Sequence, residues 1–155
     1  MRARLAPPFA IAMLALAAGL TAPPAAGDPL RDYRLHCQGC HLVDGRGMPG
    51  KVPSLAGEVA KFLSVPGGRE FLIRVPGVAN SRLSDAETAQ LMNWMLRAFD
   101  PDHAPADFVP YTAEEVAPLR DDPLREVREH RRRLIKAMEN SKLGDAREHC
   151  DSAQH

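Results

Sequence analysis

The sequence predicts a small all-α protein, in which a helical domain is followed by a helical and extended C-terminal extension. Three N-cap patterns mark helix starts: Ser84 with Glu87 three residues later, Thr112 with Glu115 three residues later, and Asp28 directly before Pro29. No hairpin signal or partner strand is visible, so the short apolar segments are assigned to helices. The 14 Pro and 11 Gly residues among 155 interrupt the chain often, which predicts short elements.

Composition and charge exclude several classes of function. The 20 basic residues balance the 20 acidic ones, whereas a protein that binds the phosphate backbone of a nucleic acid needs a basic surplus. Aromatic residues make up 5% of the chain, too few for a base-stacking platform. The three cysteines are too few and too unevenly placed for a disulfide scaffold. We therefore expect no nucleic-acid partner.

The N-terminal residues predict a secretory signal peptide. Arg2 and Arg4 precede an apolar run from Phe9 to Leu20, and small residues follow it. The run is too short to cross a bilayer, which needs about 20 residues, and it fits the apolar region of a signal peptide. Residues 1–26 are thus expected to be removed, the alternative being an uncleaved membrane anchor. The mature chain is expected to be periplasmic and soluble, with no stable membrane insertion.

Helix and loop signals follow one another along the rest of the chain. Gly and Pro crowd residues 44–57, where no continuous helix or strand is expected. Pro76-Gly77 and Asp100-Pro101 are each expected to end a helix, since Pro cannot continue one. The predicted helices span about 28–39, 58–64, 69–75, 85–99, 112–120 and 123–144, with a loop at 76–82, an extended stretch at 101–111 and a frayed end at 145–155.

One motif carries chemistry: Cys37-Gln38-Gly39-Cys40-His41 has the C-x-x-C-H spacing of covalent haem attachment. Two thiols three residues apart lie on the same side of one helical turn, so each can form a thioether with one haem vinyl group. His41 then follows as the proximal ligand of the iron. The motif predicts one covalently bound haem c, a large apolar body in a domain with a small core of its own.

Three other interpretations of the motif remain open at this point. The two thiols could serve as a disulfide or a thioredoxin-like redox pair, but a neighbouring βαβ pattern is absent. They would form half of a zinc site if His149 and Cys150 completed it, although those residues lie far along the chain in a frayed end. The spacing is otherwise a coincidence.

With these residues in view, the chain resembles the class I, monohaem c-type cytochromes over residues 28–99. The family has a D-G-x-G loop after the haem histidine, a P-x-L-x-G segment, and a closing helix that starts L-S-D and carries an aromatic residue. The resemblance implies a helical fold around the haem, and it implies that the Pro53 carbonyl receives the ring N–H of His41. The matching residues are Asp44-Gly45-Arg46-Gly47, Pro53-Ser54-Leu55-Ala56-Gly57, Leu83-Ser84-Asp85 and Trp94.

The chain departs from the family at the second iron ligand. The family has a Met followed by Pro before the L-S-D helix, but here Val75 stands in the place of the Met, and Val cannot ligate iron. Met92 and Met95 on the closing helix are candidates for the sixth ligand, although methionines at helical spacing are more often core residues. Asn80 in the distal loop and His103 after the helix are further candidates for the distal side.

The resemblance divides the chain into a cytochrome c domain at 28–100 and a Pro-rich and helical extension at 101–155. Basic residues from Arg125 to Lys136 are balanced by acidic neighbours, which is typical of a solvated helix rather than a docking patch. The same helix has an apolar stripe that must be buried, either on the haem domain or against a partner protein. Its members are Leu124, Val127, Leu134, Ile135 and Met138.

Together these observations predict an exported c-type cytochrome that carries single electrons between redox partner proteins. No acid–base pair or nucleophile arrangement suggests an enzyme. One alternative is a haem-based ligand-binding or sensing protein with an open or labile sixth coordination site. Another is a cytochrome subunit of an exported dehydrogenase. The residues expected in the pocket and core are Leu55, Phe62, Phe71, Leu91 and Trp94.

Overall fold

The computed structural model describes the backbone of residues 27–152 and the side chains of residues 27–141. The predicted signal peptide, residues 1–26, lies outside the described residues. Within them the chain is all α, as predicted, with only an isolated bridge between Met48 and Val52 in place of strands. The helices are α1 (Pro29–His36), α2 (Gln38–His41), a 3₁₀ helix (Ala60–Ser64), α3 (Gly68–Arg74), α4 (Pro76–Ala79), α5 (Asp85–Phe99), α6 (Ala113–Arg120) and α7 (Val127–Ser152).

Two of the predicted N-caps set the central pair of helices. The Asp28 carboxylate accepts hydrogen bonds from the backbone N–H groups of the first turn of α1. Ser84 and Glu87 form the reciprocal capping box of α5. α1 packs on α5, where the ring of Tyr33 lies between those of Trp94 and Phe99, at centroid distances of 5.7 and 4.8 Å.

The remaining helices close one apolar core around α5. The 3₁₀ helix and α3 meet through Phe62 and Phe71, whose stacked rings have centroids 4.9 Å apart. Leu91, Met92, Met95 and Leu96 of α5 face the same interior and are almost fully buried. The core therefore lies between α5 and the segment 59–75, and the turn that carries Cys37 sits at its edge.

Two boundary predictions at prolines were wrong. Pro76 does not begin a loop but the short helix α4, because Val75 before it is extended (φ −61°, ψ 134°) and Pro suits the first helical position. Pro123 does not open a helix: the Leu124 N–H donates to the Arg74 carbonyl at 2.9 Å, and this keeps the chain irregular until α7 begins at Val127. The backbone helix of α7 also continues past the predicted end at residue 144, to Ser152.

The extension packs on the helical domain. Tyr111, Val116 and Leu134 are buried in the common core, and Leu124, Val127 and Met138 pack against it. Four of the five residues of the predicted apolar stripe, all but Ile135, therefore contact this chain's own core. The boundary at residue 100 stays a prediction. Within the described residues, no helix combines the length and apolar character needed to cross a membrane.

Candidate functional site

Cys40 and His41 of the C-x-x-C-H motif lie on the single turn α2, and Cys37 is the residue between α1 and α2 at which the helix breaks. The Cys37 carbonyl accepts hydrogen bonds from the backbone N–H groups of Cys40 (3.1 Å) and His41 (2.9 Å). Cys37 is half-buried against the core, whereas Cys40 is exposed, and both thiols are free. The predicted helix from 28 to 39 is thus two pieces, and the break turns the motif toward one edge of the core.

The thiols are not engaged in the alternative chemistries within the described part of the chain. The structure shows Cys37 and Cys40 unbridged, and no βαβ unit surrounds them. His149 and Cys150, the other half of the suggested zinc site, lie beyond the described side chains. Burial, with the Asp32 carboxylate as a second cause, raises the pKa of the Cys37 thiol to about 11, so it is uncharged at neutral pH.

A sharp reversal of the chain follows His41. Leu42 has a φ of 64°, in the left-handed region that a residue with a Cβ seldom adopts. The hydroxyl of Tyr33, on α1, donates to the Leu42 carbonyl at 2.6 Å. Burial raises the pKa of Tyr33 to about 12, so the phenol remains a donor at all physiological pH values. Tyr33 therefore holds the turn that carries His41 in place.

The His41 ring is oriented by its surroundings. Its Nδ1 is buried and lacks a hydrogen bond of normal geometry to the described residues, yet the Pro53 carbonyl is close enough to raise the pKa of the ring. Desolvation is the larger effect and lowers that pKa overall. His41 is therefore neutral near pH 7, as a histidine ligand of iron must be, and its buried Nδ1 has no hydrogen-bond partner among the described residues.

The Pro53 segment reaches His41 because the D-G-R-G loop contains glycine at two crowded positions. Gly47 has a φ of 66°, and a Cβ there would lie 2.5 Å from the Val52 carbonyl oxygen and 2.6 Å from that of Pro53. A Cβ at Gly45 would lie 2.8 Å from the Phe99 ring. Only glycine permits this approach. The loop thus brings Pro53 beside His41 from twelve residues away along the chain.

These residues fit the donor set of a covalently bound haem. Two free thiols lie three residues apart, a neutral imidazole follows them, and its buried Nδ1 lacks a hydrogen-bond partner among the described residues. The apolar residues predicted to surround the haem belong to a single cluster that includes Cys37. Of these, Phe62, Phe71 and Leu91 are buried, and Leu55 and Trp94 are partly buried.

The structure does not bring the distal candidates together. Met92 and Met95 are 1% and 3% exposed and pack inside the core. Asn80 is exposed at the C-terminal end of α4. The ring of His103 lies 2.6 Å from the carboxylate of Asp100, a buried residue. Val75, in the place of the family's Met, is half-buried and packs on the core.

One residue beside the chain between α4 and α5 was not predicted from the sequence. Arg120 of α6 donates hydrogen bonds to three backbone carbonyls between α4 and α5 and pairs with Asp85. In the sequence it is one Arg among many, and its partners are 35 to 41 residues away along the chain. No local pattern signals it.

Comparison with known proteins gives the family. No family model matches the chain. It is 39% identical over 102 residues to a cytochrome c-552 of Thermus thermophilus, a match that covers 54% of this chain and 78% of the relative. A cytochrome c-552 from a second strain designation of Thermus thermophilus is also 39% identical over 102 residues, with 69% of its length covered. With the helical fold and a site whose residues fit a covalent haem, these matches show that the chain belongs to the monohaem class I c-type cytochromes and carries one covalently bound haem c.

Proposed function

We propose that the protein is an exported carrier of single electrons between redox partner proteins, not an enzyme. The observation that carries the proposal is the turn at residues 37–41, where two free thiols and a neutral imidazole share one edge of the apolar core. Cys37 and Cys40 would form the two thioethers to the haem, and His41 would be the proximal ligand. Pro53 would orient the ring of His41.

The protein residues have few tasks in such a carrier. The bound haem supplies reversible one-electron chemistry at its iron. His41 is supplied in its neutral form, and the Pro53 carbonyl beside Nδ1 makes the other ring nitrogen a better donor. Phe62, Phe71 and Leu91 exclude water from the interior, and a low dielectric around the site tunes its potential.

The exposed residues next to the motif suggest where a partner approaches. Cys40 is exposed, and Leu42 and Val43 after it are 41% and 72% exposed, although both are apolar. Apolar side chains at the surface are typical of a contact that forms and dissolves, since their burial favours association without a specific ion pair. We infer that electrons leave and enter at this edge.

The attachment is tested with variants of the two thiols. In the wild type, haem should stay with the protein after denaturation and solvent extraction, because two thioethers hold it. The double variant Cys37→Ala, Cys40→Ala should give apoprotein or extractable haem. Cys150→Ala is the matched control and should retain its haem. Covalent haem in the double variant would contradict the assignment of these residues.

Transport and electron transfer are tested on the same protein. N-terminal sequencing of the protein from the periplasmic fraction should find a start between Ala22 and Asp28. Voltammetry of the purified protein should show a reversible wave for one electron per haem. A protein that keeps residues 1–26 would contradict the proposed export. A protein that loses its haem during cycles of reduction and oxidation would contradict the proposed electron transfer.

A second function is favoured by the distal side. Val75 stands where the family has its Met, Met92 and Met95 pack in the core, and His103 is held by Asp100. We therefore propose a weak or absent sixth ligand, which would allow the protein to bind a small ligand at the iron. The ferrous protein should bind carbon monoxide readily. A near-infrared thioether-to-iron band that disappears in Met92→Ala or Met95→Ala would contradict this proposal and leave the simple carrier.

A further inference from the structure

The guanidinium of Arg120 donates hydrogen bonds to four acceptors in residues 79–85. Its Nε donates to the Ala79 carbonyl at 3.2 Å, and Nη2 donates to the Ser81 carbonyl at 2.7 Å. Nη1 donates to the Leu83 carbonyl at 2.7 Å and to Asp85 Oδ1 at 2.8 Å. The side chain of Arg120 is only 14% exposed. Residues 79–85, which we call the distal segment, run from the end of α4 to the start of α5. Ala79 and Leu83 of this segment are buried, and Arg120 is hydrogen-bonded to four of its residues.

The distal segment has a particular place in the fold. It comes directly after Val75-Pro76, the position where other members of the family have the Met ligand of the iron. An axial Met would tie this part of the chain to the haem by a coordinate bond. Val75 has no atom that can bind iron, so in this protein other contacts must hold the segment in place.

Contacts within the segment itself are not enough to hold it in place. Ser81 Oγ is buried and has no hydrogen-bond partner among the described residues. A buried hydroxyl without a partner is unfavourable, so it persists only where other contacts determine the backbone. The forked donors of Arg120 are such contacts, because one rigid guanidinium can satisfy several acceptors at once. The conformation of residues 79–83 is therefore imposed from outside the segment.

The helix that carries Arg120 is itself firmly anchored. Val116 of α6 is fully buried in the core. Glu115 of α6 pairs with Arg69 of α3 through two contacts, at 2.5 and 2.7 Å. Arg69 also lies over the ring of Tyr111, 3.9 Å from its centroid. Arg120 thus reaches the distal segment from a fixed base.

We propose that Arg120 is a positioning residue for the distal side of the haem. From the C-terminal extension it fastens the segment that follows Val75-Pro76, a task that an axial methionine performs elsewhere in the family. The sixth coordination position is then left to exogenous ligands, with the distal wall held rigid. This inference rests on the proposed absence of a protein ligand there.

The first readout is the mobility of the distal segment in the haem-loaded full-length protein. Arg82 is exposed within the segment and is a site for trypsin. In Arg120→Gln, limited cleavage after Arg82, followed by mass spectrometry, should be about tenfold faster than in the wild type, because proteolysis reports the local opening of the chain. Arg128→Gln is the matched control: it removes the same charged group from an exposed position on α7 and leaves Arg120, its acceptors and the anchor of α6 intact.

The second readout is the binding of imidazole to the ferric protein, followed by its absorption spectrum. Arg120→Gln should change the dissociation constant by about threefold or more, whereas Arg128→Gln should not, since population of open states of the wall alters ligand affinity. Arg120→Lys and Asp85→Asn each remove only part of the clamp. These two variants should give intermediate effects in both measurements. They replace Arg120→Gln in the test if that variant fails to accumulate.

Two outcomes separate the possibilities. If every Arg120 and Asp85 variant matches Arg128→Gln in cleavage after Arg82 and in imidazole affinity, the positioning role is wrong. If Arg120→Gln speeds cleavage but the wild type already binds no imidazole and shows a methionine band, the clamp is confirmed and the open sixth position is overturned.

Discussion

At the scale of single residues, Tyr33 joins the first helix to the haem-binding turn. It is 1% exposed, its ring contacts those of Trp94 and Phe99, and its hydroxyl donates to the Leu42 carbonyl. Because burial raises the pKa of this phenol from 10.0 to about 12, the protonated form is favoured in the folded state. The associated stability is complete below pH 10 and is lost as the pH rises through about 12.

Tyr33→Phe should therefore weaken the fold in a pH-dependent way. At pH 7 we expect the free energy of unfolding to fall by about 1 kcal/mol, the usual net value of one hydrogen bond. The difference between wild type and variant should shrink from pH 10, where the phenol ionises in the unfolded chain, to about pH 12, where it also ionises in the folded protein and the hydrogen bond is lost. Guanidinium unfolding of the haem-loaded protein between pH 7 and pH 12 measures this. A difference that stays constant over that range would show that the hydroxyl contributes nothing specific.

At the scale of elements, the same sequence signal had opposite outcomes at two prolines. Pro76 begins a helix, since Val75 before it is extended and nothing else competes for the backbone. Pro123 does not, because the next residue gives its N–H to the Arg74 carbonyl, and Arg74 also pairs with Asp122. A local signal predicts an element only where no distant group claims the same backbone atoms.

The caps and the motif were predictable for the corresponding reason. Asp28, Ser84 and Thr112 each cap a helix through atoms two or three residues away, so short-range patterns contain all that is needed. The spacing of Cys37 and Cys40 is local in the same sense. Arg120 joins residues that only the folded chain brings together, and no periodicity in the sequence reports that.

The burial of α7 on the domain gives a prediction for this element. Leu134 is 6% exposed and belongs to the same core as Phe62 and Phe71. Leu134→Ala should lower the free energy of unfolding by about 3 kcal/mol, as large-to-small changes in a core do. Lys136→Ala, on the exposed side of the same helix, is the control and should change it by less than about 0.5 kcal/mol. Equal, small effects in a denaturant titration would mean that α7 does not complete the core.

At the scale of the whole molecule, the aromatic residues of the described part of the chain are few and lie in three clusters. Tyr33, Trp94 and Phe99 fill the contact of α1 with α5. Phe62 and Phe71 form the second cluster, and His130 of α7 stacks on Phe71 at a centroid distance of 5.8 Å. Phe108 and Tyr111 of the extension form the third. A chain of this size with so little aromatic surface has a small core of its own, and the haem is expected to supply much of the remainder.

The haem-free double variant Cys37→Ala, Cys40→Ala should therefore fold poorly as a whole. We expect it to lose the near-ultraviolet circular dichroism of Trp94 and to unfold without a sharp transition, because a group bound only by the native state stabilises that state. Cys150→Ala with its haem should unfold cooperatively. A sharp two-state transition in the haem-free variant would show that the helices need no haem to pack.

Because Leu42 has a left-handed backbone, the effect of a substitution at position 33 depends on which residue stands at position 42. A residue with a Cβ is unfavourable at a φ of 64°, whereas Gly adopts that conformation freely. The Tyr33 hydroxyl, which binds the carbonyl of this same residue, compensates for the strain. A lineage that first acquires Gly at position 42 can then lose the hydroxyl at position 33 with little harm, while the reverse order passes through a weakened intermediate. We expect the two substitutions to be epistatic and to occur together among descendants of this sequence.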